Sequence, residues 1–199
     1  MSDEAKRIAA GAAVELVEDG MRLGIGTGST AEHFIHLLAQ RVKAGLSVSG
    51  IATSERSAEL CGKLGIPLTN LDETPALDLA VDGADEFDAA LNLIKGGGGA
   101  LLREKIVAGA AKRFVVIADA SKQVDVLGAF PLPVEIIPMA RQPLSQHLTD
   151  LGAVVTLRQT ADGEPFRSDE NHWILDCAFA PTIADPPGLA QTLSSLPGV

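Results

Sequence analysis

The sequence is poor in positive charge. It has 16 lysine and arginine residues against 26 aspartate and glutamate residues, which gives a formal net charge of −10 at pH 7. Proteins that bind nucleic acid or an anionic membrane surface need a basic patch, so we expect neither partner. Any phosphate ligand must therefore be held locally, by loops and a few lysines.

Cysteine is nearly absent as well. Cys61 and Cys177 have neither metal-type nor redox-type spacing, and two isolated thiols are typical of a protein of the reducing cytoplasm. The charged N-terminus lacks the apolar core of a signal peptide, and no apolar run reaches the length of a membrane span. With 199 residues, 46% of them hydrophobic, the chain is long enough for one main domain and a smaller one. We therefore expect a globular, cytoplasmic protein.

Several common catalytic and nucleotide-binding motifs are also missing. The sequence has no Gly-x-Gly-x-x-Gly fingerprint, no lysine after Gly28 as a Walker loop requires, and no Gly-x-Ser-x-Gly nucleophile turn. The four histidines are scattered, and only His33 and His36 share a predicted helix. Because a catalytic metal usually needs three protein ligands, we expect no metal site.

A glycine-rich turn at residues 26–30, Gly-Thr-Gly-Ser-Thr, follows a predicted strand and precedes a predicted helix. Such a turn is a ready anion site, and the hydroxyls of Thr27, Ser29 and Thr30 are available as donors. Ser29 and Glu32 also fit a capping box, with Ser29 as the N-cap. A plain tight turn explains the glycines too, but we favour a site for a small monophosphate.

A second glycine-rich stretch, residues 82–104, carries more ionisable groups. Asp82, Asp85, Lys95 and Glu104 surround four consecutive glycines. Glycines cost backbone entropy on folding, and they let a backbone approach a ligand closely and aim its N–H groups at an anion. The acids follow a predicted strand and the glycines precede a predicted helix, which is where open α/β sheets place their ligands.

Local patterns alone leave the roles of these acids open. Asp82 and Asp85 are equally well explained as helix caps or turn acids. On its predicted helix, Glu104 lies away from the face of Leu102 and Ile106, so periodicity alone assigns it to solvent.

The order of the predicted elements indicates an α/β fold. Four strand-then-loop units predict an open, mostly parallel, Rossmann-like sheet with helices on both faces; its strands are expected at 21–26, 48–53, 77–81 and 114–118, with helices at 3–19, 54–64 and 100–112. From Pro131 the order is strand, helix, strand, strand, helix, at 134–137, 140–151, 154–159, 173–178 and 188–196. That order is typical of a small α+β (ferredoxin-like) domain. We therefore predict a Rossmann-like catalytic domain at 1–130 and a small domain at 131–199.

Five short motifs follow one another along the chain: Gly26-Thr-Gly-Ser-Thr-Ala31, Val81-Asp-Gly-Ala-Asp-Glu86, Ile94-Lys-Gly-Gly-Gly-Gly-Ala100 with Arg103-Glu-Lys105, Ala118-Asp-Ala-Ser-Lys122, and Phe130-Pro-Leu-Pro-Val-Glu-Ile-Ile-Pro138. In this order they resemble the successive motifs of ribose-5-phosphate isomerase, type A. The similarity covers residues 3–199. Five ordered motifs are a specific signal, unlike either glycine loop alone.

The resemblance implies an aldose-ketose isomerase of the pentose phosphate pathway. Such an enzyme interconverts D-ribose 5-phosphate and D-ribulose 5-phosphate without a cofactor, and we expect an enediolate intermediate. The family usually forms a homodimer or larger homo-oligomer. Its chains usually continue through further strands that return to the main sheet, and we expect this chain to lack that return.

The resemblance also implies roles for individual residues. Glu104 matches the general base, and Asp82 and Asp85 match acids that handle the hydroxyl and ring oxygens of the sugar. Lys95 or amides of the glycine loop are expected to stabilise the oxyanion. The implied substrate-binding residues, of which Lys6 would contact the phosphate, are Thr27, Gly28, Ser29, Thr30, Asp82, Gly83, Ala84, Asp85, Lys95, Gly96, Gly97, Gly98, Lys122 and Lys6.

Two other kinds of function remain open from the sequence. One is a non-catalytic sugar-phosphate sensor, although no DNA-binding helix pair is attached and a sensor does not need a base at Glu104. The other is a different enzyme on a similar fold, a coenzyme A transferase or a sugar-lactone hydrolase, because similarity of fold is weak support for function.

Overall fold

The computed structural model of the protein describes residues 3–199. These residues divide into two compact units, each of which we describe by itself. The first, called the parallel-sheet unit, takes the residues up to Ala84 together with Leu102–Ser121. The second, called the antiparallel-sheet unit, takes Asp85–Leu101 and Lys122–Val199.

The α-helices and strands follow one another as α1 (Asp3–Val14), β1 (Arg22–Ile25), α2 (Ser29–Lys43), β2 (Ser49–Ala52), α3 (Glu55–Leu64), β3 (Leu79–Asp82), β4 (Glu86–Phe87), β5 (Leu93–Ile94), α4 (Leu101–Gly109), β6 (Phe114–Val116), β7 (Leu132–Ile136), α5 (Arg141–Asp150), β8 (Ala153–Leu157), β9 (Trp173–Phe179) and α6 (Pro186–Ser195). The longest of these helices, α2, has 15 residues. None of the helices in residues 3–199 is long and apolar enough to cross a bilayer.

The parallel-sheet unit is built on four parallel strands in the order β2-β1-β3-β6. Successive side chains of a strand point to opposite faces, and the two faces are covered by different helices. Leu23 and Leu79 pack into a core with α1, α2 and α3. On the other face, Gly24 lies against Val107 of α4. The predicted parallel sheet with helices on both faces is therefore confirmed.

The antiparallel-sheet unit contains the predicted strand-helix-strand-strand-helix order from β7 to α6. Its three strands pair antiparallel in the order β7-β9-β8. Leu148 of α5 and Leu175 and Cys177 of β9 are fully or almost fully buried in the core of this sheet. A two-stranded hairpin of β4 and β5, not predicted from the sequence, belongs to the same unit.

The division into units differs from the predicted boundary between residues 130 and 131. The reason lies in Glu86, which is buried and accepts hydrogen bonds from the N–H groups of Gly128 (2.8 Å) and Phe130 (2.5 Å). These bonds attach the hairpin to the segment that leads into β7. Whether residues 1–130 act as one catalytic domain stays a prediction.

Several element bounds differ from the predicted ones. Helix α1 ends at Val14 rather than at residue 19, because the Arg41 guanidinium takes up the carbonyls of Val14 (2.5 Å) and Val17 (3.0 Å) that would otherwise continue the helix. Helix α6 begins at Pro186, earlier than predicted, because Asp185 caps it by accepting from the Gly188 N–H.

The predicted capping box at Ser29 and Glu32 is wrong. The N-cap of α2 is Gly28, whose φ of 102° suits a residue without a Cβ, and Ser29 is already helical. Glu32 pairs instead with Arg56. A side-chain cap does occur on α3, where Ser54 accepts from the Ser57 N–H at 3.1 Å.

Candidate functional site

The parallel-sheet unit places Asp82 beside the loop that follows β1. The chain leaves β1 towards β2 on one side and returns to β3 on the other, so β1 and β3 flank the point where the strand order reverses. Open α/β sheets bind ligands at such a point, beyond the carboxyl ends of the strands. Asp82 is 3% exposed, and its Oδ1 accepts hydrogen bonds from the N–H groups of Thr27 (3.0 Å) and Gly83 (2.7 Å).

Gly26 makes this approach possible. A Cβ added at Gly26 would lie 2.2 Å from Asp82 Oδ1 and 2.6 Å from Asp82 Cα. The glycine therefore serves close packing of the loop on the carboxylate, and its N–H donates to the Val81 carbonyl at 2.9 Å. The sequence pattern indicated a glycine turn but not which glycine meets the acid.

The hydroxyl of Thr27 points into a cluster of other hydroxyls. Its Oγ1 lies 2.8 Å from Thr53 Oγ1 and 2.8 Å from Ser54 Oγ, and Ser57 Oγ lies 3.3 Å away. Thr53, Ser54 and Ser57 are all buried, and Ser57 donates to the Gly26 carbonyl at 2.8 Å. The Thr27 hydroxyl therefore helps to fix the loop, a role that the sequence did not indicate.

The other residues of this loop lie at the start of α2. Ser29 is exposed, and its Oγ accepts a hydrogen bond from Lys6 Nζ at 2.7 Å. Gly28 and Thr30 are partly buried on either side of it. The structure thus brings Lys6, for which the resemblance implied a phosphate contact, to the loop for which it implied substrate binding.

Glu104 is buried on α4, where it is 6% exposed. Helical periodicity predicted the opposite, and that prediction is wrong: Ile106 is 50% exposed, while Glu104 and Val107 form the buried side. The adjacent Arg103 faces outward far enough to pair with Glu55 at 2.8 Å. No spacing rule identifies this burial, because the apolar residues of α4 occur all round the helix.

The antiparallel-sheet unit holds Asp85 against the run of four glycines. Asp85 Oδ2 accepts the Gly97 N–H at 2.8 Å. A Cβ at Gly97 would lie 2.5 Å from Asp85 Oδ1 and 2.9 Å from the ring of Phe130, so this position requires glycine. Gly96 and Gly99 have positive φ angles of 97° and 79°, and the Gly99 N–H donates to the Gly96 carbonyl. The run is thus a tight turn before α4, with glycines in left-handed conformations at its two ends.

Two residues near the glycine run were missed from the sequence. Arg158 donates from Nη1 to the carbonyl of Gly97 at 3.0 Å, and it lies 61 positions away in the chain. Glu86 accepts hydrogen bonds from the segment before β7, as described above. A basic residue at a strand end and an acid next to Asp85 have no local pattern that distinguishes them from surface charges.

Lys122 ends a short 3-10 helix, Ala120–Lys122, and its side chain is partly exposed. The turn before it is shaped by Asp119, which is buried and whose Oδ1 accepts from the Ser121 N–H (2.9 Å) and hydroxyl (2.5 Å). An Asp-x-Ser turn of this kind fixes the direction in which the chain leaves the sheet.

The predicted site residues fall into two groups. The parallel-sheet unit carries Lys6, Thr27, Gly28, Ser29, Thr30, Asp82, Gly83, Ala84 and Glu104, and the antiparallel-sheet unit carries Asp85, Lys95, Gly96, Gly97, Gly98 and Lys122. Each group combines a carboxylate with a glycine loop that precedes a helix, which is chemistry suited to a phosphorylated, hydroxyl-rich ligand. Across the described part of the chain, no three histidine, cysteine or acidic side chains are grouped to hold a metal ion.

Comparisons with known proteins agree on one family. A family model described as ribose 5-phosphate isomerase A (phosphoriboisomerase A) matches residues 49–199. The ribose-5-phosphate isomerase A of Parvibaculum lavamentivorans is 55% identical over 204 residues, which cover 100% of this chain and 88% of that protein.

Solved structures give the same result. Ribose 5-phosphate isomerase A from Methanocaldococcus jannaschii matches with a TM-score of 0.95 and 41% identity, covering 100% of this chain and 89% of that one. A D-ribose-5-phosphate isomerase solved in complex with phospho-erythronic acid matches with the same TM-score, identity and coverage.

Proposed function

The chain belongs to the ribose 5-phosphate isomerase A family and interconverts D-ribose 5-phosphate and D-ribulose 5-phosphate, and we propose that it does so through an enediolate with Glu104 as general base. Moving the carbonyl between C1 and C2 requires a base that removes the C2 proton and returns a proton to C1. One carboxylate serves both steps, because the two carbons are neighbours in the planar enediolate. The sensor and the coenzyme A transferase or lactonase alternatives are not favoured by this family membership.

The observation that carries the proposal is the burial of Glu104. Glutamate is rarely buried to this degree, because removing a charged group from water costs free energy. Glu104 is 6% exposed on a helix that begins directly after the glycine run, and it matches the family's base by its place in the Arg103-Glu-Lys105 motif.

Asp82, Asp85 and Lys95 are the other groups proposed to act on the sugar. The two aspartates are proposed to interact with the hydroxyl and ring oxygens of the sugar. Lys95 and the amides of Gly96, Gly97 and Gly98 stabilise the negative oxygen as it develops. Hydrogen-bond donors aimed at a developing oxyanion typically contribute about 3–4 kcal/mol each to the transition state.

The remaining site residues are proposed to bind the phosphate and the carbon chain of the substrate. They are Lys6, Thr27, Gly28, Ser29, Thr30, Gly83, Ala84 and Lys122. Phosphate held away from the reacting carbons supplies binding energy that orients them. The protein has a net charge of −10, so local lysines are needed to attract the phosphate, and the contact of Lys6 with Ser29 supports its place at the loop.

We further propose a cytoplasmic homodimer or larger homo-oligomer, as the resemblance implies. Both cysteines are free and buried in the structure, which suits a reducing compartment. Burial raises the pKa of the Cys61 thiol to about 11 and that of Cys177 to about 12, so neither is a ready thiolate. Light scattering of the purified chain gives its mass in solution directly.

The test is a Glu104→Gln variant, which keeps the shape of the side chain and removes its basicity. We expect kcat to fall by about 1,000-fold, within the range usual for a lost general base. Phospho-erythronic acid, a sugar acid with a planar carboxylate, should still bind when measured by calorimetry. As a control, Glu59→Gln changes a glutamate side chain that is 70% exposed and should leave kcat unchanged. An active Glu104→Gln enzyme would exclude Glu104 as the base.

A further inference from the structure

Arg158 follows strand β8 directly and is held in place by Asp176 of β9. Its Nε donates to Asp176 Oδ2 at 2.9 Å, and its Nη2 donates to Asp176 Oδ1 at 2.5 Å. The two side chains are 16% and 27% exposed. A two-pronged pair of this kind fixes the plane of the guanidinium as well as its position.

The third nitrogen of this guanidinium reaches the run of glycines. Arg158 Nη1 donates to the Gly97 carbonyl at 3.0 Å and, more weakly, to the Gly96 carbonyl at 3.4 Å. The ring of Phe166 stacks under the guanidinium with its centroid 5.7 Å from Cζ. A Cβ at Gly99 would lie 2.7 Å from that same ring, so Arg158 and Phe166 support the glycine run from one side.

The direction of the Gly98 N–H follows from this contact. A trans peptide group is planar, and its carbonyl and N–H point in opposite directions. Because Arg158 holds the carbonyl of Gly97, the N–H of Gly98 in the same peptide group points away from the guanidinium. The preceding peptide group is fixed too, since the Gly97 N–H donates to Asp85 at 2.8 Å. Gly98 itself is exposed, and a Cβ there would meet no atom within 4 Å.

We propose that Arg158 is a positioning residue for the isomerase reaction, which aims the Gly98 N–H at the developing oxyanion by gripping the Gly97 carbonyl. The inference rests on the role proposed above for residues 95–98. Arg158 acts through the loop and does not touch the sugar. Asp176 offsets the charge of Arg158, so Arg158 contributes by orienting the loop rather than by its positive charge. Lysine cannot replace Arg158, because an ammonium lacks the planar set of donors that binds a carboxylate and a carbonyl at once.

The kinetic test uses Arg158→Lys, Arg158→Ala and Asp176→Asn. We expect Arg158→Lys and Arg158→Ala to lower kcat by about 100-fold, the loss that misplacement of a catalytic group by about 1 Å can cause. KM and inhibition by inorganic phosphate should change little, because phosphate is bound by other residues. Asp176→Asn keeps its shape and should lower kcat less. Arg167→Lys, at an exposed arginine nearby, is the matched control and should behave as wild type.

A second readout does not depend on activity. In protein labelled with 15N-glycine, Arg158→Lys should shift the amide signals of Gly97 and Gly98, and it should leave those of Gly62 and Gly109 in the parallel-sheet unit in place. If the wild type proves inactive, the proposed function fails, and these amide signals still decide whether Arg158 orients the loop.

Three results would overturn the proposal. The first is wild-type kcat in Arg158→Lys, and the second is a set of Gly97 and Gly98 amide signals that Arg158→Lys leaves in place. The third is unfolding of Arg158→Lys and Asp176→Asn alike, which would make Arg158 a residue for stability rather than position. Shifted Gly97 and Gly98 amides together with a lowered kcat and an unchanged KM would support it.

Discussion

Asp82 shows how a buried carboxylate is used to shape a loop. Its Oδ1 collects two backbone N–H groups, those of Thr27 and Gly83, and Gly26 leaves the space that this requires. Hydrogen bonds from backbone donors to an ionised carboxylate are among the stronger ones in proteins. The loop after β1 and the end of β3 therefore share one anchor.

At this scale we predict that Thr27→Val destabilises the fold. The substitution keeps the volume but removes the hydroxyl that bonds with Thr53 and Ser54, so the buried Thr53 hydroxyl loses this partner, while Ser54 keeps its bond with Ser57. We expect the free energy of unfolding to fall by about 1–3 kcal/mol in urea denaturation.

Thr149→Val provides the control for this prediction, because the Thr149 hydroxyl lies on the exposed side of α5. Its expected effect is within about 0.5 kcal/mol. Equal stability of the Thr27→Val variant and wild type would show that the hydroxyl cluster does not hold the loop.

The sequence predicted some of these residues and missed others for physical reasons. Asp82 and the Thr27 loop follow strand ends, and parallel strands bring their carboxyl ends to one edge, so their meeting was predictable. The burial of Glu104 was not, because it depends on which face of α4 meets the sheet. Arg158 reaches the glycine run across 61 positions, and only the folded sheet sets that distance.

Among the elements, α4 carries Glu104 and its position depends on one small residue of β1. A Cβ at Gly24 would lie 2.6 Å from Val107 Cγ1 and 2.8 Å from Ala80 Cβ. The helix therefore rests on the sheet where β1 and β3 have almost no side chains. This close approach seats Val107, which is buried on α4 as Glu104 is.

We predict that Gly24→Ala pushes α4 away from the sheet. Overpacking of this kind costs about 1–3 kcal/mol of stability, and kcat should fall as well because Glu104 moves with the helix. Thermal unfolding and a steady-state assay on the same sample measure both effects.

Gly62→Ala is the matched control. It places a methyl group in open space within helix α3 and should stabilise the protein by about 0.5–1 kcal/mol. Unchanged stability and activity in Gly24→Ala would contradict the account of how α4 is seated.

Element types were more predictable than element ends. The parallel strands and the later α+β order follow from apolar runs and glycine or proline breaks, and both are present. The hairpin of β4 and β5 escaped prediction because each strand has only two residues. The end of α1 escaped because Arg41, from another helix, terminates it. Long-range side chains of this kind leave no local signal.

The whole molecule is acidic, and one of its carboxylates ties the parallel sheet together at the amino ends of its strands. Asp78 accepts hydrogen bonds from the Arg22 N–H (3.0 Å), the Arg22 guanidinium (3.2 Å) and Lys112 Nζ (2.9 Å). The hydrogen bonds from Arg22 and Lys112 hold the pKa of Asp78 well below its ordinary value of 3.8. Its charged form is thus favoured in the folded protein.

We predict that this group contributes to the loss of stability in acid. Because its pKa is lowered on folding, its contribution is fully present above the unfolded value of 3.8 and is lost as the pH falls below it. Asp78→Asn should lower the free energy of unfolding by about 1 kcal/mol near neutral pH, and the difference from wild type should shrink in acid.

Denaturation in urea across the pH range checks this, with Asp72→Asn, at an exposed aspartate, as the control. A difference between Asp78→Asn and wild type that is independent of pH would contradict the linkage.

The central claim is that this chain moves a proton between C2 and C1 by means of Glu104. The most direct measurement follows D-ribose 5-phosphate with the wild-type protein in D2O by proton NMR, beside Glu104→Gln. We predict that D-ribulose 5-phosphate forms with deuterium at C1 and that the variant forms almost none. Equal rates of ketose formation in wild type and Glu104→Gln, or no ketose formation by the wild type, would contradict the claim.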